Sequence, residues 1–264
     1  MTTPDGRRFR GVWLGRRSYA VVEALQTELS RARILGHVPD TVLLLEHEPV
    51  VTLGRRADPS NVLLSEEALR ARGVEYAQAS RGGDVTLHAP GQLVAYPIVS
   101  LAPDRRDVRR YVRDLAETMR RVCLRHGISG GEVSGLVGLW VDLDTVSDWQ
   151  GARDGARLAK IGAIGVRISQ WVTSHGFALN VSTAPDLFRM IVPCGIRDHE
   201  VTSIFELSAA RPEVLDVAHA ALDAMSRIMG AEVVRFDDLS TTPLEPWITE
   251  LRAGNSIDQT LPSL

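Results

Sequence analysis

Lysine is almost missing from this chain. Lysine and arginine together number 30, yet only Lys160 is lysine. Arginine therefore serves wherever positive charge alone is needed. A guanidinium keeps its proton, whereas a desolvated ammonium can lose it, so the single lysine stands out as a candidate for chemistry that needs an amine. Cysteine is scarce too. The 2 cysteines, Cys123 and Cys194, lie far apart and form no C-x-x-C, which excludes a disulfide scaffold and fits a reducing, cytoplasmic compartment. There is no basic excess: a net charge of -3 argues against a nucleic-acid partner. No apolar run approaches the roughly 18 residues of a membrane span, and the N-terminus has no apolar signal-peptide centre. His47-Glu48 does not extend to H-E-x-x-H, and the other histidines show no metal-ligand spacing. No G-x-G-x-x-G and no Walker loop is present, so neither a metal nor a nucleotide cofactor is expected.

What is present suits a folded domain. Apolar residues make up 44% and charged residues 24% of 264 residues, enough to bury a large core. Hydrophobic periodicity places strands at 10–15, 41–45, 50–54, 75–79, 84–88, 93–99, 136–143 and 231–236, with more from Lys160 onward. Helices are expected after Ser18, after Ser65, from Asp104 to His126 and between Pro212 and Gly230. Val108, Val112, Leu115, Met119, Val122 and Cys123 should form the buried face of the third of these, which makes Cys123 a packing residue. The polar segment 144–157 reads as an exposed hairpin loop. The whole predicts an α+β fold, a mixed or antiparallel sheet with flanking helices. One catalytic domain should span 1–240, with a polar tail over 241–264 pinned by Trp247 and disordered at its end.

Two stretches carry chemistry. The first runs from Lys160 through Gly162, Gly165, His175 and Gly176 to Pro193-Cys194-Gly195. A loop thiol can be reached, and a nearby cation raises its reactive thiolate fraction, so Cys194 and Lys160 form a candidate nucleophile and proton acceptor. Read by themselves, the glycines fit crowded sheet packing and His175 fits a core histidine. The second stretch is Arg81-Gly82-Gly83-Asp84-Val85-Thr86-Leu87-His88, then Ala89-Pro90-Gly91-Gln92. Strand alternation puts Thr86 and His88 on one face and Val85 and Leu87 on the other. Backbone N–H groups of Cys194, Gly195 or the 81–83 turn are candidate oxyanion donors.

Together with Leu53-Gly-Arg-Arg, His175-Gly-Phe-Ala-Leu-Asn-Val and Val201-Thr-Ser-Ile, these blocks resemble the octanoyltransferases of lipoate biosynthesis, the lipoate-protein ligase B family. The resemblance spans roughly residues 41–207. It implies the fold shared with lipoate- and biotin-protein ligases, an acyl-thioester nucleophile at Cys194 and its partner at Lys160. It also implies an acyl site made of Arg81, Gly82, Gly83, Asp84, Val85, Thr86, Leu87, His88, Ala163, Ile164, Gly165, Gly176, Phe177 and Ala178. The donor implied is octanoyl-acyl carrier protein. The implied acceptors are lipoyl domains of 2-oxoacid dehydrogenases and the glycine cleavage H protein, and no ATP or other cofactor is needed. The chain departs from the family in having Leu87 for a tyrosine and Ala89 for a glycine, the latter expected to set a methyl beside the acyl chain. The 144–157 loop is also longer than the family's. The rival readings are an ATP-dependent lipoate ligase of the same fold and a non-catalytic carrier-binding module. The exposed face Arg106, Arg109, Arg110 and Arg113 is read as solvated, with docking of an acidic carrier as its alternative.

Overall fold

The computed structural model describes residues 6–153, 155–195 and 199–255. Strand β1 (Arg7–Arg17) leads into helix α1 (Tyr19–Ile34), followed by β2 (Thr41–His47) and β3 (Val50–Leu53). Helix α2 (Glu66–Arg70) begins at Ser65, whose hydroxyl accepts from Ala68 N at 3.2 Å and so satisfies one of the free donors at the helix start. Strands β4 (Glu75–Gln78), β5 (Val85–His88) and β6 (Gln92–Ile98) follow.

Helix α3 (Val108–Leu124) starts later than the expected Asp104, because Asp107 caps it by accepting from Arg110 N at 2.9 Å. Its buried stripe is Tyr111, Leu115, Met119, Val122 and Cys123. Val108, expected on that stripe, is 46% exposed. Val112 is only half-buried, because the side chains that meet the sheet lie one to three positions further round the helix. Strands β7 (Gly131–Val133) and β8 (Leu136–Asp142) precede the long hairpin of β9 (Leu158–Ser169) and β10 (Val172–Asn180). Gln170 and Trp171 turn that hairpin with φ of 48° and 64°, the two positive values that a tight two-residue turn requires. The chain ends through β11 (Glu200–Val201), α4 (Ile204–Leu207), α5 (Val214–Met229), β12 (Ala231–Asp238) and α6 (Glu245–Arg252). Gly230 closes α5 in the left-handed region, at φ 65°.

Among the described residues, the main sheet has the order β12-β1-β2-β6-β10-β9-β8-β7, with β11 beside β9. The β12-β1-β2 end is parallel and the rest of that path antiparallel. Strand alternation supplies two cores. Val42 and Leu44 of β2 join α3 and α5 on one face; Leu43 and Leu45 join α1 and α6 on the other. Trp247, Ile248 and Leu251 of α6 are buried against α1, so the segment read as a tail contains a packed helix; its end, 256–264, lies outside the described residues.

The second sheet, β4-β3-β5, stands apart from the first. Val85 and Leu87 of β5 face its own core with Val51, Leu53 and Leu69. The other face of β5 is therefore turned toward the large sheet. No helix of the described chain is long and apolar enough to cross a membrane.

Candidate active site

A narrow cavity of 40 Å³ lies between the two sheets. From the small sheet and the loop before it, Arg81, Gly83, Asp84, Thr86 and His88 line it. The large sheet contributes Ala163, Ile164 and Gly165 of β9, Gly176, Phe177 and Ala178 of β10, and Tyr96 of β6. Three residues expected there lie elsewhere. Val85 and Leu87 point into the small sheet's core, as the period of two requires, and Gly82 lines an adjoining surface groove. Ala89 is also fully buried and outside the lining of this cavity, so its methyl does not sit where the departure from the family motif suggested.

The glycines of the cavity wall let backbones come close. A Cβ at Gly165 would lie 3.0 Å from Arg81 Cδ and 3.1 Å from Gly82 O. The 81–84 loop is held against that strand by Gly82 N donating to Val166 O at 2.9 Å. Arg81 is 7% exposed: its Nη2 donates to Thr52 O and Oγ1, both at 2.8 Å, and its Nη1 to Asp84 O at 2.8 Å. Its guanidinium thus staples the loop to β3.

A smaller cavity of 20 Å³ adjoins the first, and Thr86 and Ala163 line both. Lys160, Gln92 and Asn180 form its polar side, and Pro193 also lines it. Lys160 is 5% exposed, and its strand is paired at this point with Trp140 of β8 and Val201 of β11. Its Nζ lies 5.3 Å from the centroid of the Trp140 ring, whose face attracts a cation. Gly138 makes room for it. A Cβ there would come within 2.6 Å of Lys160 Cε, and φ of 140° disfavours any side chain.

Pro193–Gly195 forms a single 3₁₀ turn next to this cavity. The Cys194 thiol lies outside the described side chains, so its surroundings are known through the backbone on either side. Asn61 anchors that turn: its Nδ2 donates to Asp84 Oδ2 at 2.7 Å, and its carbonyl accepts from Val192 N at 2.7 Å. Gly195 N donates to Val192 O and Gly82 N to Val166 O, which removes both from the expected oxyanion donors. Cys123, by contrast, is fully buried on α3, and burial pushes its thiol up to about 12.

Residues 18–226 match the lipoyl protein ligase A/B catalytic domain. The chain belongs to that family. Over 224 residues it is 47% identical to the octanoyltransferase of Chloroflexus aurantiacus, covering 83% of this chain and 93% of that protein. The octanoyltransferase of Chloroflexus aggregans is 49% identical over 218 residues, 80% of this chain and 92% of that one. In structure, the chain is similar to a lipoate-protein ligase A bound with ATP, at TM-score 0.69 and 16% identity, over 92% of this chain and 94% of that one. A bipartite lipoate protein ligase from Thermoplasma acidophilum gives TM-score 0.68 at 15% identity, covering 93% and 92%. At such identities the likeness concerns the fold.

Some site residues in this family member escaped the sequence reading. Asn180 Nδ2 donates to Thr202 O at 2.9 Å; Gln92 Nε2 donates to Asn180 Oδ1 at 2.9 Å; and Gln92 Oε1 lies 2.6 Å from His88 Nδ1. A backbone carbonyl only accepts, so Thr202 O fixes both amides and makes His88 Nδ1 the protonated nitrogen. His47 Nδ1 donates to Arg17 O at 3.1 Å and its Nε2 accepts from Tyr96 Oη at 3.0 Å. Gln92 and Asn180 stand inside the motif blocks, yet nothing in their spacing, or in that of Tyr96, shows that they meet.

Three buried histidines around the cavity give a pH prediction. Burial holds His47 down at about 4; burial and then the nearby Arg81 hold His175 at about 3. Burial, and next the neighbouring His47, holds His88 well below the ordinary value. The folded state keeps all three neutral, whereas the unfolded chain protonates them near pH 6.5. Their stability contribution is therefore complete above about pH 6.5 and is lost as pH falls toward the folded values. Each histidine changes stability by about 1.4 kcal/mol per pH unit in that window. Urea midpoints measured from pH 7.5 to 4.5 should drop steeply below 6.5, and a midpoint that stays level across the range would contradict neutral burial.

Proposed function

We propose that the chain transfers an octanoyl group from acyl carrier protein to a lysine of lipoyl domains, through a thioester on Cys194. The observation that carries this reading is that Lys160, the only lysine, and Pro193, beside Cys194, line one small cavity that adjoins a narrow channel. In the first step the Cys194 thiolate attacks the donor's thioester carbonyl, and the carrier's thiol leaves with a proton. In the second, the acceptor amine attacks the Cys194 thioester, the amide forms, and Cys194 leaves as thiolate. An acceptor lysine with a reference pKa of about 10.4 is unprotonated in only about one copy in a thousand at pH 7, so this step needs a base. Lys160 supplies that role once it has surrendered its proton to the departing carrier thiol. Thioester exchange is near balance and amide formation is downhill, so the cycle needs no ATP.

The same reading assigns Thr86, His88, Ala163–Gly165 and Gly176–Ala178 to the acyl chain. The carrier's arm enters by the adjoining groove of 510 Å³, lined by Arg56, Val112, Leu136 and Val137. Arg106, just before α3, and Arg109, Arg110 and Arg113 of α3 are all exposed, which suits an acidic carrier. The lipoyl domains of 2-oxoacid dehydrogenases and the glycine cleavage H protein are the proposed acceptors. The test is an intact-mass spectrum after incubation with octanoyl carrier protein and no nucleotide. One octanoyl adduct, mapped to the peptide containing Cys194 and discharged by a lipoyl domain, is the expected result. Modification that appears only with ATP and free acid would favour a ligase.

A further inference from the structure

We propose that the hydrogen-bonded pair Ser80–His175 is the end wall of the acyl channel and sets the longest chain accepted, an inference that rests on the acyl-transfer reading. Strand β9 orders the compartments. Lys160 lies in the small cavity, Ala163 in both cavities and Gly165 in the channel; Arg167 and Ser169, further on, line a separate cleft of 330 Å³ against α1. Channel and cleft are divided at two points where neighbours in sequence face opposite sides. Arg81 and Gly176 line the channel; Ser80 and His175 line the cleft. On the cleft side of that boundary Ser80 Oγ and His175 Nε2 are 3.0 Å apart, joining the two chain segments. The His175 ring also meets the ring of Tyr96, a channel residue, edge-on at 5.8 Å. The imidazole thus stands between the channel and the cleft.

The wall is built with care for position. His175 has φ of 54°, a left-handed conformation uncommon for a residue with a side chain. Gln26 of α1 holds it there, its Oε1 accepting from His175 N at 2.8 Å. Beyond the wall the lining becomes more polar. Gln26 Nε2, Ser30 Oγ and His175 Nδ1 all belong to cleft-lining residues, and each is buried without a hydrogen-bond partner among the described residues. A methylene chain pushed into that cleft would cover Arg167, Ser169 and Gln170, which line it and are exposed, and give their polar groups no partner, which is costly. Shape stops the chain at His175, and polarity discourages it from going on.

The test is competition between octanoyl- and dodecanoyl-loaded carrier protein at equal concentration, read by intact mass as the ratio of the two acyl-enzymes. His175→Gly removes the ring and tolerates the positive φ; Ser80→Ala removes only the hydrogen bond and guards against misfolding of the first variant. The dodecanoyl-to-octanoyl ratio should rise by about tenfold or more in His175→Gly, the order that even one methylene commands in a shaped pocket, and by about threefold in Ser80→Ala, where the ring remains. A ratio within twofold of wild type in both variants would overturn the wall while leaving the transfer reading intact, and proportional loss of both adducts counts the same way. No adduct from either donor on the wild-type protein would overturn the transfer reading, and the wall with it.

Discussion

Cys194→Ser should lose octanoyl transfer by at least about 1,000-fold, because a serine hydroxyl without a dedicated activating base is a far poorer nucleophile than a thiolate. Cys123→Ala should remain within about threefold of wild type. The contrast follows from placement. Cys123 is fully buried in the stripe that α3 turns toward the sheet, and its thiol is pushed up to about 12. Cys194 occupies a 3₁₀ turn beside the lysine cavity, tied down through Asn61 and Asp84. Removing the Cys123 sulfur leaves a small void, which lowers stability by about 1 kcal/mol without touching the site. Steady-state transfer to a lipoyl domain, with the thermal midpoint recorded for each variant, decides the matter. A comparable loss in both would show that a single nucleophile is the wrong description.

Lys160→Arg should separate the half-reactions. A cation remains to favour the thiolate, so self-acylation by octanoyl carrier protein should stay within about tenfold of wild type. Transfer to the acceptor should fall by about 100-fold or more, because a guanidinium accepts no proton. The site is crowded: Gly138 lacks a side chain where Lys160 Cε passes, and Trp140 lies on the amine's other approach. Lys160→Met, of similar length but neutral, therefore provides the comparison for shape. It should lose both half-reactions, whereas the arginine variant loses one. Single-turnover mass spectrometry of acylation and of discharge measures the two steps apart. Near wild-type discharge in Lys160→Arg would reduce the lysine to a fixed charge.

By itself, the sequence determined the parts of this protein that depend on local pattern and on chemical type. The alternation in Val85-Thr86-Leu87-His88 already divides that strand into a core face and a site face, because successive strand residues point opposite ways whatever surrounds them. Ser65 and Gly230 mark helix ends through hydrogen bonds and backbone freedom that act within a few residues, whereas the cap of α3 falls at Asp107 and not at the expected Asp104. The lone lysine and the two cysteines restrict the possible amine and thiol chemistry by count alone. Tertiary structure decided what depends on pairs distant in the chain. It set Thr86 opposite Ala163 and brought Lys160 and Pro193 to one cavity. Arg81, implied by the resemblance as part of the acyl site, also donates to backbone carbonyls of its own loop and of Thr52. Asn61, Gln92, Asn180 and Gly138 gain their roles mainly from neighbours far away in the chain, a range over which no periodicity carries information. His175, which alone reads as a core histidine, becomes a boundary because Ser80, Tyr96 and Gln26 converge on it from three other segments.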